Sequence, residues 1–187
     1  MSIEGKRVAA LIGDGFEEAD LSEPRKALES AGAVVTIVGP DDRSRQRIRG
    51  KRGLDDGNQQ LKAEELIADV TGDDFDALLI PGGTSPDRLR ANKDVQRFVR
   101  EIDGAKKPVF AIGHGVQVLI SSQVVRGRQL TGAASIADDI RNAGGLYRDQ
   151  PVIQDGNWVS TRGAGDMLLF TRAMLEKLAS AVPVAPA

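Results

Sequence analysis

The sequence predicts an α/β fold in which a mostly parallel sheet lies between helices. Continuous apolar runs, typical of strands buried on both faces, alternate with segments whose apolar residues recur at helical spacing. Glycine follows several of these runs, where a strand would end and the chain would turn. The chain has 187 residues and no internal repeat or linker. We therefore predict one domain over 1–187, with a core at about 6–180 and a frayed tail over 181–187.

The first half of the chain begins this alternation. Residues 8–12, Val-Ala-Ala-Leu-Ile, form an unbroken apolar run and predict a buried strand. Apolar residues recur at near-helical spacing over 21–31, and Gly32 is a typical helix stop. Residues 34–38 are rich in β-branched side chains and predict a second strand.

The second half continues the pattern. Apolar strands are predicted at 77–80 and 108–112, with a helix over 87–102 between them. The apolar stripe of that helix consists of Leu89, Val95, Phe98, Val99 and Ile102. The remaining predicted elements are helices over 115–121, 135–143 and 164–180 and a strand over 158–161. The last helix would bury Leu168, Leu169, Met174, Leu175 and Leu178.

The composition excludes several kinds of site. The chain has no cysteine, which rules out disulfides, thiolate metal centres, iron–sulfur clusters and a cysteine nucleophile. Its single histidine, His114, excludes a metal site built from several histidines. We therefore predict no metal site and no cofactor.

The charge balance gives no reason to expect a large anionic partner. The chain has 25 basic and 27 acidic residues and a formal charge of −2, which provides no general attraction to nucleic acid or anionic membranes. The apolar run at 8–12 is too short for the core of a signal peptide or for a membrane span. We expect a cytoplasmic protein that binds neither nucleic acid nor membrane.

A basic stretch between residues 43 and 52 is open to two interpretations. Cations alternate along it at Arg43, Arg45, Arg47, Arg49 and Lys51, and Arg52 follows. If the stretch is extended, the five alternating cations share one face and could contact an anion or nucleic acid. A solvated hairpin edge is the favoured interpretation, because no aromatic residues interleave and nearby aspartates offset the charge.

Three strand ends carry residues suited to a ligand site, since ligands of open α/β sheets bind outside the carboxyl ends of the strands. These ends are residues 13–20, 81–84 and 113–115. The last of them, Gly113-His114-Gly115, has the form of a nucleophile elbow, in which a sharp turn joins an apolar strand to a helix.

These segments resemble the motifs of the ThiJ/PfpI superfamily, in particular the group that contains the intracellular protease PfpI and the general stress proteins. The resemblance is carried by residues 15–21, 79–83, 111–115, 124–131 and 138–145. It extends from about residue 6 to residue 177. Because several motifs occur in the right order and at the right spacing, the match is specific.

The resemblance implies a flavodoxin-like three-layer sandwich of the class I glutamine-amidotransferase type, assembled as a homodimer or larger homo-oligomer. Family activities include cysteine-dependent peptidase, glutathione-independent glyoxalase and protein deglycase, which imply a small carbonyl or carboxylate ligand. By motif, Asp20 matches the carboxylate that contacts the nucleophile, and His114 matches the histidine that follows it. Gly82, Gly83 and His114 match the positions that bind the oxyanion or ligand.

The chain departs from the family at the nucleophile itself. Where the family typically reads Ala-Ile-Cys-His-Gly, this chain has Gly113, which has no side chain to attack a carbonyl. Val116, Ala133-Ala134 and residues 162–168 depart from the family pattern as well. Natural divergence and deliberate substitution both remain open as the origin of Gly113, and the further departures favour divergence.

Two functions are consistent with these residues. The first is a peptidase, glyoxalase or deglycase scaffold that is inactive or strongly impaired, with at most weak water-based chemistry through Asp20 and His114. The second is a non-enzymatic stress or binding protein that holds a small ligand over Gly113.

The individual polar residues also have structural interpretations. Asp20 is equally consistent with a general base and with a helix-start charge. For His114, Glu17 and Glu18 the structural interpretation is favoured. A serine triad is not expected, because the chain has no second histidine to activate Thr84, Ser85, Ser121 or Ser122.

Overall fold

A seven-stranded sheet runs through the centre of the computed structural model, which describes residues 2–181. In spatial order its strands are β11 (Val152–Asp155), β12 (Trp158–Thr161), β8 (Val109–Ile112), β7 (Ala77–Ile80), β1 (Arg7–Leu11), β3 (Val34–Gly39) and β6 (Glu65–Leu66). All neighbours are parallel except β11 and β12, which are antiparallel. The predicted mostly parallel sheet is confirmed, and each of the five predicted strands lies in it.

Short strands form two smaller sheets, of which the sequence indicated only a hairpin edge within the basic stretch at 43–52. One contains β2 (Phe16–Glu17), β4 (Ile48–Arg52) and β5 (Asp55–Leu61), and the other contains β9 (Gln129–Leu130) and β10 (Leu146–Tyr147). Strand β5 reads Asp-Asp-Gly-Asn-Gln-Gln-Leu, so it lacks the alternation of apolar and polar residues that marks a strand. Its pairing with β4 is therefore visible only in the tertiary structure.

Helices cover both faces of the large sheet. α1 (Glu18–Ser30) and α6 (Met167–Ser180) lie on one face, and α2 (Ser85–Leu89), α3 (Lys93–Gly104), α4 (Val116–Ser121) and α5 (Ala137–Asn142) lie on the other. Strand β1 shows the division: Val8 and Ala10 belong to the core under α1 and α6, whereas Ala9 and Leu11 belong to the opposite core. The fold is a three-layer sandwich, as predicted.

The prediction of one helix over 87–102 is wrong. The segment forms α2 and α3, which are separated at Asn92. The side-chain oxygen of Asn92 accepts hydrogen bonds from the amides of Asp94 (2.8 Å) and Val95 (3.4 Å), so Asn92 caps the start of α3. The other predicted helices are present, and one turn of 3-10 helix precedes each of α4, α5 and α6.

The predicted apolar side of the last helix is also partly wrong. Leu168 and Leu169 are 85% and 56% exposed. The buried residues of α6 recur every three or four positions and include Met167, Phe170, Met174 and Leu178. This spacing defines the inward face and leaves Leu168 and Leu169 on the outward one.

Most of the predicted frayed tail, residues 182–187, lies outside the described residues. Within residues 2–181, no helix combines the length and the apolar character needed to cross a bilayer.

Candidate active site

The segments that follow β1, β7 and β8 meet at one edge of the large sheet. Strand β7 lies between β1 and β8, and the three strands are parallel. Parallel strands end at the same edge, so residues 13–20, 81–84 and 113–115 converge there. The structure thus brings together the three segments that the sequence singled out.

Asp20 lies at the centre of this convergence. It belongs to the first turn of α1 and is only 3% exposed. Its Oδ2 accepts a hydrogen bond from the Gly82 amide at 3.0 Å, whereas its Oδ1 has no hydrogen-bond partner among the described residues. An ideal Cβ on Gly82 would lie 2.7 Å from Asp20 Oδ2 and 3.5 Å from the His114 amide nitrogen, so Gly82 packs closely against both residues.

Burial raises the pKa of the Asp20 carboxyl from 3.8 to about 7. The Gly82 amide acts in the opposite direction by stabilising the charged form, while the charges of Glu17 and Glu23 raise the pKa further. Near neutral pH the site therefore contains both protonated and ionised Asp20. A carboxyl group with this pKa can donate a proton or accept one under physiological conditions.

Gly113 is the first residue of the 3-10 helix that joins β8 to α4. Its φ of +54° is in the left-handed region, which favours glycine. A Cβ built there would meet a single neighbouring group, the Arg162 carbonyl oxygen at 3.3 Å. A side chain at residue 113 therefore requires a small shift of this carbonyl and a strained backbone, and no other described group blocks it.

The loop facing the elbow is more tightly constrained. Gly83 also has a positive φ, +85°, but a Cβ there would collide with the Gly15 carbonyl oxygen and lie 2.6 Å from the Glu17 nitrogen. Two hydrogen bonds fix this contact: Glu17 N donates to Gly82 O at 3.1 Å, and Thr84 N donates to Gly15 O at 2.8 Å. The segment at 82–84 is thus held against the segment at 15–17.

The His114 side chain makes a contact that the sequence did not reveal. Its Nε2 lies 3.0 Å from the Ser135 hydroxyl, in the 3-10 helix that precedes α5. The four hydroxyl residues considered from the sequence do not contact His114. Of these, Ser85 accepts from the Gly13 amide, Ser121 accepts from Arg90 and Ser122 donates to the Val118 carbonyl. Nothing in the sequence indicated the contact of Ser135 with His114, because the two residues are 21 positions apart and Ser135 lies in no recognisable motif.

Glu17 and Glu18 hold the hairpin formed by β4 and β5. Glu17 Oε2 accepts from the Gly53 amide at 2.8 Å. The buried Glu18 accepts from the Gln59 amide and forms an ion pair with Arg52 at 2.7 Å. Although burial by itself raises the pKa of Glu18, the Gln59 amide and Arg52 outweigh it and lower the pKa below its usual value. Both glutamates therefore contact the hairpin, and Glu18 also lies in the first turn of α1.

The described part of the chain contains no group of three or more histidine, aspartate and glutamate side chains placed to hold a metal ion. The polar groups gathered at the elbow are one carboxyl, one imidazole with its hydroxyl partner, and backbone amides. This set is suited to hydrogen bonding and proton transfer with a small polar compound.

Comparison with known proteins identifies the family. The sequence profile of the DJ-1/PfpI family matches residues 6–177. The chain belongs to the DJ-1/PfpI family. Relatives within it include general stress protein 18 of Bacillus subtilis (strain 168), 39% identical over 92% of this chain and 99% of the relative. Protein/nucleic acid deglycase 2 of Escherichia coli (strain K12) is 38% identical over 92% of this chain and 98% of its own.

Solved structures of the DJ-1/PfpI family share the architecture described above. A two-domain protein from Anabaena variabilis, with DJ-1/ThiJ/PfpI-like and ferritin-like domains, superposes with a TM-score of 0.88 at 36% identity. The match covers 96% of this chain and 50% of that two-domain protein. The DJ-1/PfpI fold predicted from the motifs is therefore confirmed.

For a DJ-1/PfpI chain, the distinctive feature is the residue at the elbow. The motif assigns the nucleophile to position 113, and glycine stands there in a chain without cysteine. The structure places Asp20, Gly82 and His114 around that position. The catalytic and oxyanion roles that the resemblance implies for these residues and for Gly83 remain predictions.

Proposed function

We propose that the elbow site binds a small carbonyl or carboxylate compound and carries out no thiol-dependent covalent turnover. The observation that carries this proposal is the room beside Gly113 in a chain that has no thiol to place there. Covalent catalysis of the kind implied by the family needs a thiolate. A relative named as a deglycase supports a carbonyl-type ligand for this scaffold.

The buried carboxyl of Asp20 supports recognition of a ligand oxygen. Below pH 7 it is mostly protonated, so its unpartnered oxygen can donate a hydrogen bond to a carbonyl or carboxylate. Above pH 7 it is mostly ionised and repels an anion. The affinity for glyoxylate, measured by NMR titration, should therefore fall as the pH rises through about 7. The affinity for uncharged methylglyoxal should fall less.

Restoring a thiol at residue 113 tests whether the elbow can support the thiol-dependent catalysis of the family. Gly113→Cys places a thiol where a Cβ has room, and Gly113→Ala carries the same backbone strain without the thiol. We expect Gly113→Cys to convert methylglyoxal at least about 100-fold faster than Gly113→Ala, which should match the unaltered chain. Lactate formation followed over time distinguishes the variants.

Two results would contradict the proposal in different ways. If Gly113→Cys folds but neither binds nor converts methylglyoxal, the elbow is not a carbonyl site. If the unaltered chain already turns over substrate at the rate of Gly113→Cys, the thiol is not the missing component.

A second candidate function is favoured by the pKa of Asp20. A general base is most effective when its pKa is close to the working pH, and Asp20 has a pKa of about 7. On this alternative, Asp20 takes a proton from a water molecule that attacks a substrate carbonyl beside Gly113. Turnover by the unaltered chain would then rise through about pH 7 and disappear in Asp20→Asn. Turnover that Asp20→Asn leaves intact would exclude this alternative.

A further inference from the structure

A separate cavity of about 250 Å³ lies beside the elbow site, between the carboxyl ends of β1 and β3. Three arginines from different parts of the chain line it, and we call it the arginine cavity. Arg43 lies in a 3-10 helix that follows β3, Arg47 follows that helix, and Arg88 lies in α2. Two of the three come from the basic stretch noted in the sequence, to which the elbow site assigns no role.

The basic stretch is not one extended strand. Residues Asp42–Arg45 form the 3-10 helix, and only Ile48–Arg52 form β4. The arrangement of five cations on one strand face therefore does not occur. Instead, folding of the segment brings Arg43 and Arg47 together with Arg88, which is about 40 residues away in the sequence.

The three arginines of the cavity have no ion-pair partner within residues 2–181, and their guanidinium groups form no hydrogen bond there. Their neighbours behave differently: Arg45 pairs with Asp69 at 3.0 Å, and Arg52 pairs with Glu18 at 2.7 Å. Within the stretch, Arg45 and Arg52 are thus paired, whereas Arg43 and Arg47 in the cavity, and Arg49 and Lys51 outside it, form no ion pair among residues 2–181.

Two carboxylates also line the cavity, and both bind the backbone. Asp14 Oδ1 accepts from the Arg49 amide at 2.8 Å. Asp41 Oδ1 accepts from the amide of Ser44 at 3.1 Å and from its hydroxyl at 3.0 Å, which caps the 3-10 helix that carries Arg43. These bonds hold the walls in place. The arginines outnumber the carboxylates by three to two.

The walls of the cavity are fixed by further contacts. Ser44 is buried, and its carbonyl accepts from the Ala63 amide at 2.8 Å. Across the cavity, the side-chain amide of Asn92 donates to the Pro40 carbonyl at 3.2 Å. The guanidinium groups therefore project from ordered segments, which lowers the entropy that binding would cost.

We propose that the arginine cavity binds the phosphate group of a small phosphorylated metabolite. All three cations are arginines, whose planar groups of N–H donors bind phosphate oxygens in pairs. A phosphate monoester carries a charge of about −1.5 to −2 at neutral pH, enough to offset the excess positive charge. The cavity has no aromatic lining on which a nucleobase could stack, which favours a small phosphate ester over single-stranded nucleic acid.

The arginine cavity is distinct from the elbow site and adjoins it. Arg88 also lines a smaller cavity of about 180 Å³ together with Gly15 and Thr84, the residues that hold the 82–84 loop. Asp20, Gly82, Gly113 and His114 are not among the residues that line the arginine cavity. The inference therefore does not depend on what the elbow site does.

Calorimetric titration with glycerol 3-phosphate and with inorganic phosphate, at constant ionic strength, tests the proposal. The unaltered chain should bind glycerol 3-phosphate with a saturable 1:1 isotherm. The double variant Arg43→Gln/Arg88→Gln should bind at least roughly tenfold more weakly, because two bidentate donors are lost. The three arginines are exposed, so the variant should keep the thermal unfolding midpoint of the parent chain.

Arg100→Gln is the matched control. Arg100 is exposed, has no ion pair within the described residues, and lies on α3 eight positions beyond Asn92, about 12 Å along the helix axis. It should bind glycerol 3-phosphate as tightly as the parent chain. Equal losses in Arg100→Gln and the double variant would show diffuse charge attraction and overturn the proposal. So would undiminished affinity in the double variant, or tighter binding of a single-stranded oligonucleotide than of glycerol 3-phosphate.

Discussion

Two glycines lie in separate loops at the same edge of the large sheet, and packing requires only one of them. Gly83 and Gly113 both have a left-handed backbone, with φ of +85° and +54°. A side chain at Gly83 would collide with the backbone of Gly15 and Glu17. A side chain at Gly113 would only touch the Arg162 carbonyl at 3.3 Å.

Glycine is therefore required by backbone packing at residue 83, whereas at residue 113 it is not. At Gly83, the backbone of the 82–84 loop lies so close to the backbone of residues 15–17 that no Cβ fits, whatever chemistry the protein performs. At Gly113, the turn imposes strain on any residue other than glycine but leaves it space. Packing therefore excludes a side chain at residue 83 but does not exclude one at residue 113.

The largest effect is expected when the close crossing is broken. Gly83→Ala adds left-handed strain of about 1–2 kcal/mol and an overlap with fixed backbone of about 1–3 kcal/mol. We therefore expect the free energy of unfolding to fall by about 2–5 kcal/mol, as measured by urea denaturation.

Gly53→Ala is the control for this prediction. Gly53 has a similar backbone, with φ of +61°, but nothing lies within 4 Å of its Cβ position. It should lose only the strain component, about 1 kcal/mol. Equal losses for Gly83→Ala and Gly53→Ala would mean that the crossing yields easily and that the contrast between the two loops is not steric.

The next effect concerns the carboxyl that both loops surround. The pKa of Asp20 is about 7 when folded and 3.8 by its ordinary value, so the folded state binds the proton more tightly. Its stabilising contribution is complete below about pH 4 and is lost as the pH rises to about 7. A gap of about 3 pKa units corresponds to roughly 4 kcal/mol.

Asp20→Asn should remove this pH dependence, because an amide keeps an acceptor for the Gly82 N–H without the charge. Urea unfolding at pH 4 and pH 8 should show the variant gaining stability relative to the parent as the pH rises. Asp139→Asn, at an exposed aspartate of α5, should show no such gain. If the stability of the parent chain does not decline relative to that of Asp20→Asn between these pH values, the pKa of the buried Asp20 carboxyl is not raised.

The smallest effect is expected at the elbow. Gly113→Ala should lower the free energy of unfolding by about 1 kcal/mol, because the residue pays only for its left-handed backbone. A loss as large as that of Gly83→Ala, measured in the same urea experiment, would show that position 113 is closed to side chains. It would also remove the structural basis for restoring a thiol there.

Sequence patterns predicted the strands whose apolar residues follow one another along the chain. The apolar run that became β1 is buried on both faces, and such runs are recognisable without a partner. The hairpin of β4 and β5 was not predictable in the same way, because polar residues such as Asn58 and Gln60 acquire strand geometry only by pairing. Leu168 and Leu169 were misassigned because apolar character alone does not fix the phase of a helix.

The residues of the candidate site that lie in sequence motifs were predictable, and the others were not. Asp20, Gly82 and His114 lie in segments whose order and spacing resemble the family, so their convergence was expected. The contact between His114 and Ser135 was not, since it joins two loops through the fold. The absence of a partner for Asp20 Oδ1 and the resulting pKa also depend on burial, which no local pattern reports.

The sequence by itself determined that this DJ-1/PfpI chain contains no cysteine and has glycine at residue 113, where the family motif would place the nucleophile. Only the tertiary structure decided which glycine is required by packing and which arginines have no ion-pair partner among the described residues. Both depend on how closely groups distant in the chain approach one another. Backbone crowding at Gly83 and charge separation around Arg43 and Arg88 arise from distances that exist only after folding.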